Sequence, residues 1–252
     1  PQESAGLLRS GVHATLLSER PYQSPAAWTT LASGVPKEVH GVASFLESRL
    51  PGVRFAPVED PEARWLFPFY GLLEVAHALG LGETTPVTRD RRAAPCLWEI
   101  VSAGGGSATV LNAYATSPVA PLRGRCLGDA FFREYLWLRF PPSRPMDCVW
   151  PPEAEAELAG SVLDPGGRVA EALRTFGELT PEEAAACAPG AGAAAHAHDS
   201  PFHLGWSIAV ESNVFAAAAR FLERDPSDLT FLVTALEDVV NHYYLECRWP
   251  ER

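Results

Sequence analysis

Ser24 carries a hydroxyl that could act in chemistry, and it opens a segment with helix signals at both ends. Ser24 is a good N-cap, Pro25 suits the first helical position, and Gly34 suits the left-handed residue that closes a helix. A hydroxyl at a helix N-terminus lies beside unpaired amides and the positive end of the helix dipole, where a phosphate is stabilised. The pattern therefore predicts a helix over 25–33 in which Ser24 is either a structural cap or a nucleophile.

A carboxylate and an imidazole form a second candidate site near the end of the sequence. Asp238 and His242 follow a continuous apolar run, 229–236, that has the length of a strand. In open α/β sheets, ligands bind beyond the carboxyl ends of the strands. If a helix begins there, the two side chains lie on one face at i and i+4 and suit a cation such as zinc or manganese. A surface Asp–His pair at the start of a helix explains the same spacing, since the helix dipole favours the Asp.

His196, His198 and Asp199 form a third group of possible ligands. They lie in or next to the low-complexity tract 188–198, which consists mostly of Ala and Gly. Metal ligands are held rigidly by their surroundings, and such a tract is expected to be exposed and mobile. The composition therefore disfavours a metal site at this position.

The elements that must position these residues alternate between helix and strand. A helix over 96–101 ends in the glycines 104–106 and precedes the β-rich run 108–113. A long helix over 206–224 likewise precedes the apolar run 229–236, which is predicted to be a central strand buried on both faces. Helix followed by buried strand is half of a βαβ unit, so the pattern predicts a parallel sheet.

We therefore predict an α/β protein that is doubly wound, with a mostly parallel central sheet between two layers of helices, an α/β/α sandwich. Residues 1–252 are predicted to form one domain, in which 122–205 is an irregular, cap-like excursion rich in proline. Shorter helices are predicted over 42–50, where Pro51-Gly52 would end the helix, and over 71–81.

Composition restricts the function classes. The net charge of −11 and the pI near 5.1 argue against a nucleic-acid-binding protein, because such proteins depend on a basic surface. The five cysteines contain no C-x-x-C pair, which favours reduced thiols in a cytoplasmic protein. No apolar run approaches the roughly 20 residues of a membrane span. We expect neither a nucleic acid nor a membrane as a partner, and composition gives no oligomeric state.

Three blocks of the sequence also carry a family resemblance. The segment 24–42, SPAAWTTLASGVPKEVHGV, resembles the nucleophile segment T/S-x-P-A-W-T-S-x-x-T-G-x-x-P-x-x-H-G of the alkaline phosphatase superfamily. It is most similar to the type I phosphodiesterase/nucleotide pyrophosphatase-like phosphohydrolases. The segment 97–118, with Asn112, Thr116 and Pro118, resembles that family's helix, strand and "N-x-P-x-T-x-P" block, and 229–249 resembles its "D-x-x-x-H-x-F-W" block.

The resemblance implies a function and residues that perform it. Ser24 falls on the position of the metal-bound nucleophile, and Asp238 and His242 fall on two ligands of one of the family's two divalent metal ions, zinc or manganese. The implied activity is hydrolysis of a small-molecule phosphate ester, a monoester or a diester, through a phosphoseryl intermediate.

The sequence also departs from the family pattern. Pro25 lies one place before the family's proline, and Phe45 stands where the nucleotide pyrophosphatases carry a phosphate-binding Asn. The family's first Asp segment and its later Asp-His-Gly segment have no counterpart within 1–252, so the metal site is expected to be incomplete here. A catalytically incomplete homologue, acting as a binding or regulatory α/β module, is therefore the alternative.

Overall fold

The computed structural model describes residues 6, 9–12, 14–18, 20, 22–50, 52–55, 75, 79–132, 147–158, 165–174, 178–186 and 201–243. Within them lie an antiparallel three-stranded sheet and a mixed four-stranded sheet. The predicted helix over 71–81 lies mostly outside the described residues, as do His196, His198 and Asp199. Among the described residues, we find no helix with the length and apolar character needed to cross a membrane.

The small sheet follows the helix that begins at Ser24. Its strand order is β2-β1-β3, and both pairs are antiparallel. The elements of this part are α1 (Ser24–Ser33), α2 (Lys37–His40), β1 (Leu46–Leu50), β2 (Val53–Phe55) and β3 (Glu83–Pro86). The prediction of a helix over 42–50 is therefore wrong. Gly52, with a φ of 80°, lies between two strands that pair as a hairpin, whereas the sequence pattern predicts the end of a helix there.

The larger sheet has the strand order β6-β5-β4-β7. The remaining elements are α3 (Leu97–Ala103), β4 (Ala108–Leu111), β5 (Gly124–Leu127), α4 (Asp129–Phe132), β6 (Val149–Trp150), α5 (Ala154–Glu157), α6 (Pro165–Arg174), α7 (Pro181–Ala186), α8 (Pro201–Arg224), β7 (Leu229–Leu232) and α9 (Leu236–Tyr243). β4 pairs in parallel with both β5 and β7, and β6 is antiparallel to β5. The structure thus confirms an α/β chain with parallel strands.

Successive residues of the strands point to opposite faces of this sheet, and each face carries its own core. Val110 and Cys126 belong to the core that contains Trp98 of α3 and Ala32 of α1. The second core contains Leu111, Leu127 and Val149 from the strands, together with Val214, Ala217, Ala218 and Phe221 of helix α8. Helices therefore cover both faces of β4, which is buried along its whole length.

Two expectations about the sheet need correction. The range 122–205 was predicted to be irregular, but β5 and β6 lie within it and belong to the larger sheet. β7 was predicted to be a central strand, but among the described strands it lies at the edge of the sheet, and Thr230 is exposed. An apolar run of strand length does not distinguish a central strand from an edge strand covered on one side.

Candidate active site

Ser24 is the first residue of helix α1, so its predicted role as the N-cap is wrong by one position. The cap is Gln23, whose backbone is extended (φ −109°, ψ 125°) and whose side chain makes no capping hydrogen bond. Pro25 consequently occupies the second helical position, where its missing N–H is tolerated because amides of the first turn have no acceptor within the helix. Ser24 is half-buried in that first turn. Because Gln23 is the N-cap, the Ser24 hydroxyl does not serve as the capping group of α1.

The buried face of α1 attaches the Ser24 segment to the larger sheet. This face consists of Pro25, Ala26, Thr29 and Ala32. Beside it, the Trp28 ring meets the Phe231 ring edge-on at a centroid distance of 6.4 Å, and Phe231 in turn contacts Trp98 at 5.0 Å. The helix that carries Ser24 is therefore packed against β7, the strand that leads to Asp238.

The far end of α1 is fixed by the His40-Gly41 pair. Gly34 closes α1 in the left-handed conformation, as predicted, with its N–H donating to the Thr30 carbonyl. The buried His40 accepts the Val42 N–H on Nδ1 at 3.1 Å, so its ring proton lies on Nε2 and is donated to Thr30 Oγ1 at 2.9 Å. These bonds give His40 a structural role as a neutral imidazole that joins α1 to the next segment.

Asp238 and His242 lie on one face of α9, as their spacing predicts. Asp238 Oδ1 and His242 Nε2 are 3.3 Å apart, and the side chains are 60% and 67% exposed. A carboxylate and an imidazole presented together fit two ligand positions of a zinc or manganese ion. Within the described part of the chain, no group of three or more His, Cys, Asp or Glu side chains could hold a metal. The pair fits part of a metal site, and no third ligand from the described residues completes it.

The two halves of the predicted site are connected through packed rings. In the described part of the chain, no hydrogen bond or ion pair joins Ser24 directly to Asp238 or His242. The connection runs from Trp28, one turn after Ser24, to Phe231 in β7, and from β7 through Val233 to α9. The structure therefore fastens both halves to the same strand.

Sequence reasoning missed a buried carboxylate at the carboxyl ends of β4 and β5. Asp129 is 6% exposed and accepts hydrogen bonds from the N–H groups of Ala115, Ser117 and Ala130 at 3.0, 3.1 and 3.1 Å. Thr116 donates to the Ala113 carbonyl and accepts the Asp129 N–H. The carboxylate thus satisfies the backbone of the loop after β4. The signal in the sequence is an acidic residue two positions after β5, but the residue pattern of 124–127 predicts no strand there.

The Asn112–Pro118 loop, which carries part of the family resemblance, is held in an unusual backbone conformation. Asn112 and Ala115 have positive φ values of 58° and 52°. Asn tolerates this region better than most residues, whereas Ala115 depends on the hydrogen bond to Asp129 and on its buried position. The contacts of Asn112, Thr116 and Asp129 therefore assign this loop a structural function.

Comparisons with known proteins add no assignment. No family model matches the chain, no curated protein is similar to it, and no solved structure matches its fold. The resemblance of segment 24–42 to phosphohydrolases therefore stays a prediction, and so does the role of each residue taken from it.

Proposed function

We propose that this chain carries part of the active site of a metal-dependent phosphoric ester hydrolase with Ser24 as its nucleophile. In this proposal, Asp238 and His242 supply two ligands of a divalent ion, zinc or manganese, and the substrate is a small phosphomonoester or phosphodiester. The observation that carries it is the common attachment of α1 and α9 to β7. Ser24 and Asp238 lie far apart in the sequence, but elements that pack on one strand can contribute side chains to one site.

The chemistry assigned to the chain's own residues is a substitution at phosphorus. The Ser24 hydroxyl loses its proton to solvent and its oxygen forms a bond to phosphorus. The bond from phosphorus to the substrate's ester oxygen breaks, and the leaving oxygen takes a proton from solvent and departs as the alcohol. Water then attacks the phosphoserine, releases phosphate or its monoester and restores the hydroxyl. The half-buried position in the first turn of α1 favours this role, because free N–H groups and the helix dipole stabilise negative charge there. A bound divalent ion would supply charge stabilisation for the phosphoryl oxygens and would lower the pKa of the hydroxyl.

The direct test is hydrolysis of p-nitrophenyl phosphate and bis-p-nitrophenyl phosphate with added zinc or manganese. Ser24→Ala should reduce the rate by about a hundredfold or more, since removing a nucleophile removes the reaction path that depends on it. Ser33→Ala is the matched control, because it removes a hydroxyl from the other end of α1 that bonds only to backbone near it. Equal rates for the unaltered protein and Ser24→Ala would exclude Ser24 as the nucleophile.

A second candidate function is favoured by the incomplete ligand group. Among the described residues only a pair of metal-ligating side chains is presented, Asp238 with His242. This supports the alternative of a catalytically incomplete homologue that binds or regulates. Zinc titration of the unaltered chain and Asp238→Asn separates the two. Loss of zinc affinity in the variant supports the hydrolase site, whereas equal affinities together with no turnover support the binding module.

A further inference from the structure

The junction between β7 and α9 is held by two side chains from other elements. The first is Asn112, at the end of β4, whose Nδ2 donates to the Val233 carbonyl at 2.9 Å. Asn112 is 1% exposed, so this bond lies in the interior, where it is shielded from competing water. The Val233 N–H donates in turn to the Leu111 carbonyl at 3.1 Å. Both backbone groups of Val233, the N–H and the carbonyl, are therefore hydrogen-bonded to residues 111 and 112 at the point where the chain leaves the sheet.

The second side chain that holds the junction between β7 and α9 is Glu211 of α8, which accepts the Ala235 N–H on Oε2 at 3.1 Å. The Ala235 carbonyl accepts the Val239 N–H at 3.0 Å, so Ala235 occupies the cap position of α9. The Glu211 carboxylate accepts a hydrogen bond from an amide just before the first turn of α9. Its negative charge also interacts favourably with the positive end of the helix dipole. Glu211 thus acts as a cap that is supplied by another helix.

From this arrangement, we infer that Glu211, with Asn112, is a positioning residue for the Asp238–His242 pair. The binding of a metal by Asp238 and His242 rests on the proposed function. The hydrogen bonds that hold the start of α9 do not depend on it. α9 contains eight residues, and a helix this short is marginal unless tertiary contacts hold it. The Asp238–His242 contact lies within α9 and does not orient the helix relative to the sheet. Asn112 and Glu211 both bind the backbone of the three residues that precede α9. They therefore determine where α9 begins and how the face that carries Asp238 and His242 is oriented.

The test compares three variants by amide hydrogen exchange and by zinc affinity. Glu211→Ala removes the acceptor, Glu211→Gln retains an acceptor of the same length, and Glu223→Ala removes an exposed carboxylate from the end of the same helix. We expect exchange in 236–243 to be about tenfold faster in Glu211→Ala, near the unaltered rate in Glu211→Gln and unchanged in Glu223→Ala. Zinc affinity, measured against a chromogenic chelator, should fall about tenfold in Glu211→Ala and recover in Glu211→Gln.

The two readouts separate this inference from the proposed function. Unchanged exchange in 236–243 for Glu211→Ala overturns the inference, and so does an equal increase along α8 and α9, because Glu211 would then support the whole fold. If the protein binds no zinc but α9 exchanges faster in Glu211→Ala, the proposed metal site is excluded. The role of Glu211 in holding the start of α9 is then still supported. Asn112→Asp, which places an acceptor against the Val233 carbonyl, should accelerate exchange in the same segment. Protection unchanged in that variant also contradicts the inference.

Discussion

Glu99 shows how one carboxylate can serve both a helix and a pair of arginines. Its Oε2 accepts the Cys96 N–H at 2.8 Å and closes the capping box of α3. Its Oε1 accepts from Arg92 at 2.7 Å and from Arg89 at 3.4 Å. Arg92 is 3% exposed along its side chain and lies 5.7 Å from the centre of the Trp98 ring. The capping box and the buried guanidinium therefore depend on the same group.

These contacts change the ionisation of the neighbouring side chains. Burial alone would raise the pKa of the Glu99 carboxyl, but hydrogen bonds from Arg92 and the Cys96 backbone outweigh it and hold that pKa below the usual 4.5. Burial raises the pKa of the Cys96 thiol to about 11 against the opposing effect of Arg92. Cys96 is therefore a protonated, unreactive thiol at neutral pH.

Glu99→Gln should lower the free energy of unfolding at pH 7 by about 2 kcal/mol, because a charge-assisted bond to the buried Arg92 is lost. The folded pKa of Glu99 lies below its unfolded value, so its contribution is present above pH 4.5 and is lost as the pH falls through the folded pKa. Urea unfolding from pH 7 to pH 3 should therefore show the difference between the two proteins shrinking below pH 4.5. A constant difference over that range contradicts the assignment. Glu182→Gln, at an exposed position in α7, is the control.

At the scale of elements, the connection after α1 depends on a close backbone approach. Gly41 has a φ of 80°, and a Cβ atom there would lie 2.9 Å from the Arg91 carbonyl oxygen. The Ala93 N–H donates to the His40 carbonyl at 2.9 Å across the same contact. Gly34 has a similar φ of 72° but open space around it. The two glycines therefore separate the cost of a left-handed backbone from the cost of steric overlap.

Gly34→Ala should reduce the free energy of unfolding by about 1 kcal/mol, the usual cost of a left-handed residue with a Cβ atom. Gly41→Ala should cost about 1–3 kcal/mol more, because the Arg91 carbonyl must move and the His40–Ala93 hydrogen bond weakens. Urea denaturation of both variants at one pH measures the difference. Equal losses would mean that the backbone around Arg91 adjusts without strain.

The elements that the sequence predicts correctly are those with signals at both ends. α1 ends at Gly34, and α3 is followed by the glycine turn and β4 as expected. β5 was missed because four residues that include Arg125 have no apolar pattern of their own. Its burial comes from pairing with β4. The pattern of 42–50 predicts a helix because Pro51-Gly52 can end a helix or join two strands, and only the pairing of β1 with β2 and β3 decides between them.

The candidate site shows the same limit. The spacing of Asp238 and His242 predicts one helical face, and the structure confirms it at 3.3 Å. The pattern predicts the correct helix end for Ser24 but the wrong cap residue, because Gln23, which is the N-cap, carries no capping signal that competes with a serine. Asp129 and Glu211 act on backbone groups far away in sequence, 14 and 24 residues from the amides they accept. No local pattern reveals such contacts.

Across the whole molecule, Arg125 links three parts of the chain behind the larger sheet. From β5, its Nε lies 3.2 Å from Glu157 of α5 and its Nη1 lies 3.0 Å from Asp225, directly after α8. Its guanidinium lies 5.5 Å from the centre of the buried Phe221 ring, and the Arg125 side chain is only 12% exposed. A largely buried cation with two carboxylates and an aromatic face contributes more than a surface pair.

Arg125→Met should therefore reduce the free energy of unfolding by about 3 kcal/mol, since Glu157 loses its closest cation at a side chain that is 15% exposed. Arg168→Met is the matched control, because it breaks the Glu171 pair on an exposed face of α6 and likewise changes the net charge from −11 to −12. Unfolding in urea should show no measurable loss for this control. Exchange of the amides near the end of α8 should accelerate only in Arg125→Met, because this side chain adds contacts from β5 to Asp225 and Phe221 beside the apolar core. Similar losses in both variants would mean that net charge, and not the contacts of Arg125, determines the stability of this face.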